Sequence, residues 1–123
     1  MDYGALCDRV LGLSGQVVTA AVLKGQQLVT AGAPKPGAPE PSREELERML
    51  FQIPILVGIP KTNEKAVGQV GYVMVNHGSY NFYLFPMEQG HILAVAVLLP
   101  YAHEDLVSHI LELLPQQQQQ QEK

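Results

Sequence analysis

Apolar residues open the chain at helical spacing: Tyr3, Leu6, Cys7, Val10 and Leu11 stand at i, i+3, i+4, i+7 and i+8. A helix with one buried stripe repeats this way, and Gly12 with Ser14-Gly15 ends it. Residues 17–23 (Val-Val-Thr-Ala-Ala-Val-Leu) are rich in β-branched side chains and read as a strand. Lys24-Gly25-Gln26 is a turn, and Gln27 to Ala31 returns as the second strand of a hairpin. Residues 32–41 hold four prolines. Neither a helix nor a central strand tolerates them, so a mobile loop is expected.

Ser42-Arg-Glu-Glu45 then forms a capping box, in which the Ser42 hydroxyl takes an orphan N–H and Glu45 reaches back. A helix over residues 44–59 follows. Further along, Lys61 to Lys65 is polar and Gly68 breaks the pattern. Strands are predicted at 69–76, 79–85 and 91–99, joined by turns at His77-Gly78 and 87–90. Together they make an antiparallel meander that Pro100 closes. Leu106, Val107, Ile110, Leu111 and Leu114 give a last amphipathic helix, stopped by Pro115. Residues 116–121 are all glutamine, so 116–123 is expected to be a disordered tail on a single domain spanning 1–115.

The predicted element order is α-β-β-α-β-β-β-α. Residues 91–99 are apolar on both faces, as a central strand covered twice would be, and 17–23 nearly so. Residues 27–31 and 69–76 are shorter or more polar, which suits sheet edges. The fold class that follows is α+β (α/β): a single five-stranded antiparallel sheet with helices on both faces.

The stretch 48–60, Arg-Met-Leu-Phe-Gln-Ile-Pro-Ile-Leu-Val-Gly-Ile-Pro, raises a harder question. On a wheel at ~100° per residue, Leu46, Met49, Leu50, Ile53 and Val57 form one face, and Phe51, Ile55 and Ile59 lie opposite. One sheet covers only one of these faces. The second needs another cover, and a symmetric partner helix supplies it. Pro54 opposes a helix, since it removes a backbone N–H and clashes, at about 3 kcal/mol in an ordinary helix interior. A kink relaxes much of that clash. A kinked helix is the expectation, with a helix ending near Gln52 and an extended 53–59 as the alternative.

Composition sharpens this. Of 123 residues, 46% are hydrophobic and only 16% charged, below the usual quarter or so, and mean hydropathy is +0.03. Surface left apolar asks for a partner. The net charge of −4 and the lack of any Lys/Arg cluster give nucleic acid no electrostatic footing. The longest apolar run, 91–100, falls far short of the roughly 20 residues of a membrane span. One cysteine excludes an internal disulfide and suits a reducing compartment, and the first ten residues do not read as a signal peptide. A soluble, cytoplasmic protein is expected, with no nucleic-acid partner and no membrane insertion.

Reaction chemistry is sparse. His103 and His109 sit about 120° apart on their helix and do not chelate, while His77 lies in a turn and His91 starts a strand. No metal-ligand spacing appears. Cys7 belongs to a buried stripe, whereas a nucleophile needs exposure and a base. Glu44, Glu45 and Glu47 read as a solvated first turn, and no phosphate-binding glycine loop occurs. Tyr72, Tyr80, Phe82, Tyr83 and Phe85 read as cross-strand packing partners, or as a stacking surface for a planar ligand. No catalytic, cofactor or metal residues are assigned, and a non-enzymatic protein is expected.

The element order and hydrophobic profile resemble the roadblock/LC7 (dynein light-chain-like) family over nearly the whole chain to Pro115. The resemblance implies a roadblock/profilin-like sheet with strand order 2-1-5-4-3, whose central strands 1 and 5 would fall on 17–23 and 91–99. The loop at 34–41 and Pro54 depart from the family's usual helix. Tyr3-x-x-Leu6-Cys7 and Ala31-Gly32 are similar to a group of small uncharacterised archaeal proteins of this fold. The resemblance further implies a homodimer in which helix 2 and strand 3 of two subunits meet, serving as a scaffold or as a platform that regulates a small Ras-like GTPase. The expected interface is Phe51, Ile55 and Ile59 with Tyr72 and Met74. The competing expectation is a ligand-binding sensor, with a pocket between the sheet aromatics and a helix.

Overall fold

Asp2 starts the first helix: its carboxylate accepts from the Ala5 N–H at 3.0 Å, and α1 runs Tyr3–Leu11. The structure, a computed structural model, describes residues 1–114, so the glutamine-rich tail expected at 116–123 lies outside the described residues. Strands β1 (Val17–Lys24) and β2 (Gln27–Ala31) follow, then α2 (Arg43–Lys61) and the single turn α3 (Glu64–Val67). The meander is β3 (Val73–His77), β4 (Tyr80–Pro86) and β5 (His91–Leu98), with a 3-10 turn at Glu88–Gly90, and α4 (His103–Leu113) closes the order.

The strands form one antiparallel sheet ordered β2-β1-β5-β4-β3, as the resemblance implies. β5 sits at its centre and is apolar on both faces because both are covered. On one face α1 and α4 pack Leu6, Cys7, Val10, Leu106, Val107 and Ile110 against Tyr83, Phe85, Leu93, Val95 and Val97. On the other, α2 sets Val57 and Ile53 on Leu84, Ile92, Val73 and Ala94.

Four expectations are corrected. The third strand begins at Val73 rather than 69, because the Glu64 carboxylate takes the Val70 N–H at 3.0 Å and α3 occupies part of the polar stretch. The hairpin turn is Gly78-Ser79: His77 pairs with Tyr80, and Gly78 adopts φ +54, which glycine accepts readily. α2 runs through Pro54, as the preferred expectation had it, but its bounds are Arg43 to Lys61 rather than 44–59. Leu46 is not on the sheet; it is exposed, because α2 meets the sheet only through its second half.

The proline-rich segment 32–41 is tied down. The Gly32 N–H donates to the Ala20 carbonyl at 2.9 Å and the Lys35 N–H to that of Val18 at 3.0 Å. Lys35 Nζ reaches the Ser14 carbonyl at 3.0 Å and the Leu11 carbonyl beside it, which caps the end of α1. A Cβ on Gly32 would collide with the Leu11 Cδ1 methyl, so a side chain there requires Leu11 to shift.

Candidate functional site

α2 carries its own cap: the Glu45 N–H donates to the Ser42 hydroxyl at 3.1 Å, and the Ser42 N–H to the Glu45 carboxylate at 2.8 Å. Those bonds hold Glu45 ionised below the usual carboxylate range. The helix so started buries only Val57. Phe51, Ile55 and Ile59, at i, i+4 and i+8, stay 54%, 48% and 62% exposed. This is an apolar ridge on a long helix, with no cover from the described residues.

Tyr72 and Met74 lie elsewhere. Met74 pairs with Tyr83, so its side chain is on the α1/α4 face of the sheet. The Tyr72 ring centroid is 5.8 Å from that of Tyr83 and 5.7 Å from that of Phe85, on the same face. The structure therefore brings Phe51, Ile55 and Ile59 together and separates them from Tyr72 and Met74 by the thickness of the sheet. β3 is an edge strand with a neighbour on one side only.

The aromatic residues divide in the same way. Tyr80 and Phe82 face the α2 side, where Phe82 meets His77 edge-on at 5.5 Å. Tyr83 and Phe85 stack at 5.9 Å under α4. The Tyr83 hydroxyl, wholly buried, contacts the Tyr101 hydroxyl and His103 Nδ1. Asn81 donates to Tyr101 at 2.7 Å and Asn76 to Asn81 at 2.9 Å, so a polar chain runs from β3 to the start of α4. Burial, then the contact with Tyr101, push the Tyr83 phenol well above its ordinary range. Sequence spacing gives no sign that Tyr101 and His103 belong with Tyr83, because the link depends on the β5–α4 connection folding back over β4.

Beside this chain lies an open groove of about 290 Å³, lined by Tyr72, His103, Glu104, Val107, Ser108 and Leu111. The other candidates have structural roles. Cys7 is buried, and burial raises its thiol above the usual value. The His91 ring packs at a tilt against Tyr3, centroids 4.6 Å apart, and contacts the Glu88 carbonyl at 3.1 Å. Among the described residues no His, Cys, Asp and Glu gather as a metal site, and no helix is long and apolar enough to cross a membrane.

No family model matches the chain and no curated protein matches it. Solved structures do. The roadblock/LC7 domain from Streptomyces avermitilis aligns with a TM-score of 0.69 at 15% identity, over 92% of this chain and 90% of that one. The gliding protein MglB from Thermus thermophilus aligns at 0.67 and 10% identity, over 89% and 83%. MglC from Myxococcus xanthus aligns at 0.59 and 14% identity, over 93% and 100%. The narrower likeness to small archaeal proteins gains nothing from these three. At such identities the likeness is one of fold, and it agrees with the strand order and the helix placement: this chain has the roadblock/LC7 fold.

Proposed function

We propose that the protein is a non-enzymatic interaction module, a homodimer working in the cytoplasm as a scaffold or platform for a small Ras-like GTPase. The observation that carries the reading is the uncovered ridge Phe51-Ile55-Ile59 on a capped helix of 19 residues. A two-fold axis would lay this ridge on its copy and give both partners the same cover. β3 is a free sheet edge, with backbone groups open to pairing. Tyr72 and Met74 would join the interface at the rim of that edge, from the other face. Another solved MglB structure is described as a tetrameric arrangement, which is in keeping with self-association.

Light scattering tests the dimer. At micromolar concentration the wild type runs as a dimer, and Ile55→Glu, which puts a charge on an exposed position, runs as a folded monomer. A monomeric wild type ends the proposal. The platform role predicts that the immobilised dimer retains a small GTPase or a scaffold protein from native extract.

A second reading, a ligand-binding sensor, is favoured by the groove between Tyr72 and α4. A metabolite that raises the melting temperature would support it.

A further inference from the structure

The polar chain that ends at His103 has a direction, and the β3–β4 hairpin sets it. One end of the Asn76 amide lies 3.1 Å from the Tyr80 carbonyl and 3.4 Å from that of Gly78. Carbonyls only accept, so this end is the nitrogen. Asn81 therefore turns its oxygen to Asn76, at 2.9 Å, and its nitrogen to the Tyr101 hydroxyl, at 2.7 Å. Tyr101 accepts there and donates to the Tyr83 hydroxyl. The opposite order would give Tyr101 two incoming bonds and leave its own proton without an acceptor among the described residues. Tyr83 is wholly buried, and its proton goes to the one acceptor left, His103 Nδ1. Nδ1 is then bare, and the neutral ring carries its proton on Nε2.

We propose that this chain is a proton-sensitive latch on the start of α4, closed while His103 is neutral and opened when it is protonated. The second proton has only Nδ1 to occupy. Nδ1–H then donates to Tyr83, and Tyr83 turns to donate to Tyr101. Tyr101 now holds two incoming bonds and a proton with no protein partner. The reversal stops there, because Asn81 cannot flip while the two hairpin carbonyls hold Asn76. Tyr101 is half-buried, so water is the acceptor within its reach, and turning toward it moves the link between β5 and α4. The start of α4 has little else to hold it: Ala102, its N-cap, supplies no side-chain bond.

No rival cation sits on the surrounding elements. Tyr83 on β4, Tyr101 in the link and Tyr72 ahead of β3 present phenols to His103 or to the groove it lines, and Glu104 lines the same groove, with Asp105 in the same first turn. β3, β4, β5 and α4 contain no lysine or arginine. The latch lies within one chain, so it operates whether or not the ridge of α2 dimerises.

The test begins with NMR of the full chain carrying isotope-labelled histidine. At about pH 8 the His103 ring shows its proton on Nε2, and a ring protonated on Nδ1 overturns the proposal. Iodide quenching of tyrosine fluorescence reads the opening, since the chain has five tyrosines and no tryptophan. Quenching rises as the pH is lowered from about 8 to about 5, the range over which imidazoles gain charge. Tyr101→Phe removes the reporter, and His103→Gln gives Tyr83 an acceptor that does not titrate, so each abolishes the rise. No rise in the wild type, or a rise that survives in either variant, ends the idea. Asn81→Asp offers Tyr101 an acceptor and reverses the chain, which moves the His103 proton to Nδ1. A folded Asn81→Asp protein that keeps it on Nε2 overturns the assigned direction, and if this variant does not fold, the wild-type ring and the quenching series decide.

Discussion

Tyr80 donates from its hydroxyl to the Gly37 carbonyl at 2.6 Å, joining the start of β4 to the proline-rich segment across 43 positions of chain. Gly37 sits at φ +89 with Leu98 close by, so the carbonyl is offered from a backbone shape that favours glycine. Together with Lys35, this bond fastens a stretch whose prolines prevent it from forming ordinary ladder bonds. Tyr80→Phe is expected to cost about 0.5–1.5 kcal/mol, the net worth of one such bond. The local effect should exceed the global one: amide exchange within 32–41 accelerates while the core strands keep their protection. Unchanged exchange in the segment would mean that the bonds of Gly32 and Lys35 suffice to hold it.

The Tyr83 phenol predicts a loss of stability in alkali. Its folded-state value lies above the ordinary phenol value of about 10, chiefly because burial disfavours the phenolate. Above about pH 10 the unfolded chain has lost this proton while the native chain keeps it, so the native state binds more protons and stability falls as pH rises. The contribution is fully present below about pH 10. Urea denaturation at a series of pH values from about 9 to 11 should show the midpoint dropping, and Tyr83→Phe should flatten the drop. An equal drop in the variant would assign the effect to other groups.

Hydrophobic period made the element order and the double cover of β5 legible, because burial forces the period wherever a strand lies between two helix layers. What stayed hidden depends on contacts between segments distant in sequence. The start of β3 is set by Glu64 reaching Val70. The order of residues 32–41 comes from the backbone bonds of Gly32 and Lys35 to β1 and from Lys35 and Tyr80, two long side chains whose targets no local pattern announces. The grouping of Phe51, Ile55 and Ile59 was legible on a wheel, since a helix fixes its own faces. The placement of Tyr72 and Met74 on the opposite side was not, since it needs the pairing of Met74 with Tyr83.

Pro54 tests how α2 tolerates its own sequence. The helix is continuous from Arg43 to Lys61, yet Pro54 has no N–H to give the Leu50 carbonyl. An interior proline costs about 3 kcal/mol, and removing one also releases conformational entropy in the unfolded chain, worth up to about 1 kcal/mol in the opposite direction. Pro54→Ala is therefore expected to stabilise the fold by about 1–2 kcal/mol, somewhat less than the difference of these terms because Pro54 is half-buried and its ring contacts are lost. The measurement belongs in an Ile55→Glu background, so that association through the ridge does not contribute to the urea midpoint. A stabilised monomer would identify Pro54 as a cost the helix bears. A neutral or destabilised variant would show instead that the proline is accommodated, with the Leu50 carbonyl satisfied by water along the exposed side that carries Phe51 and Ile55.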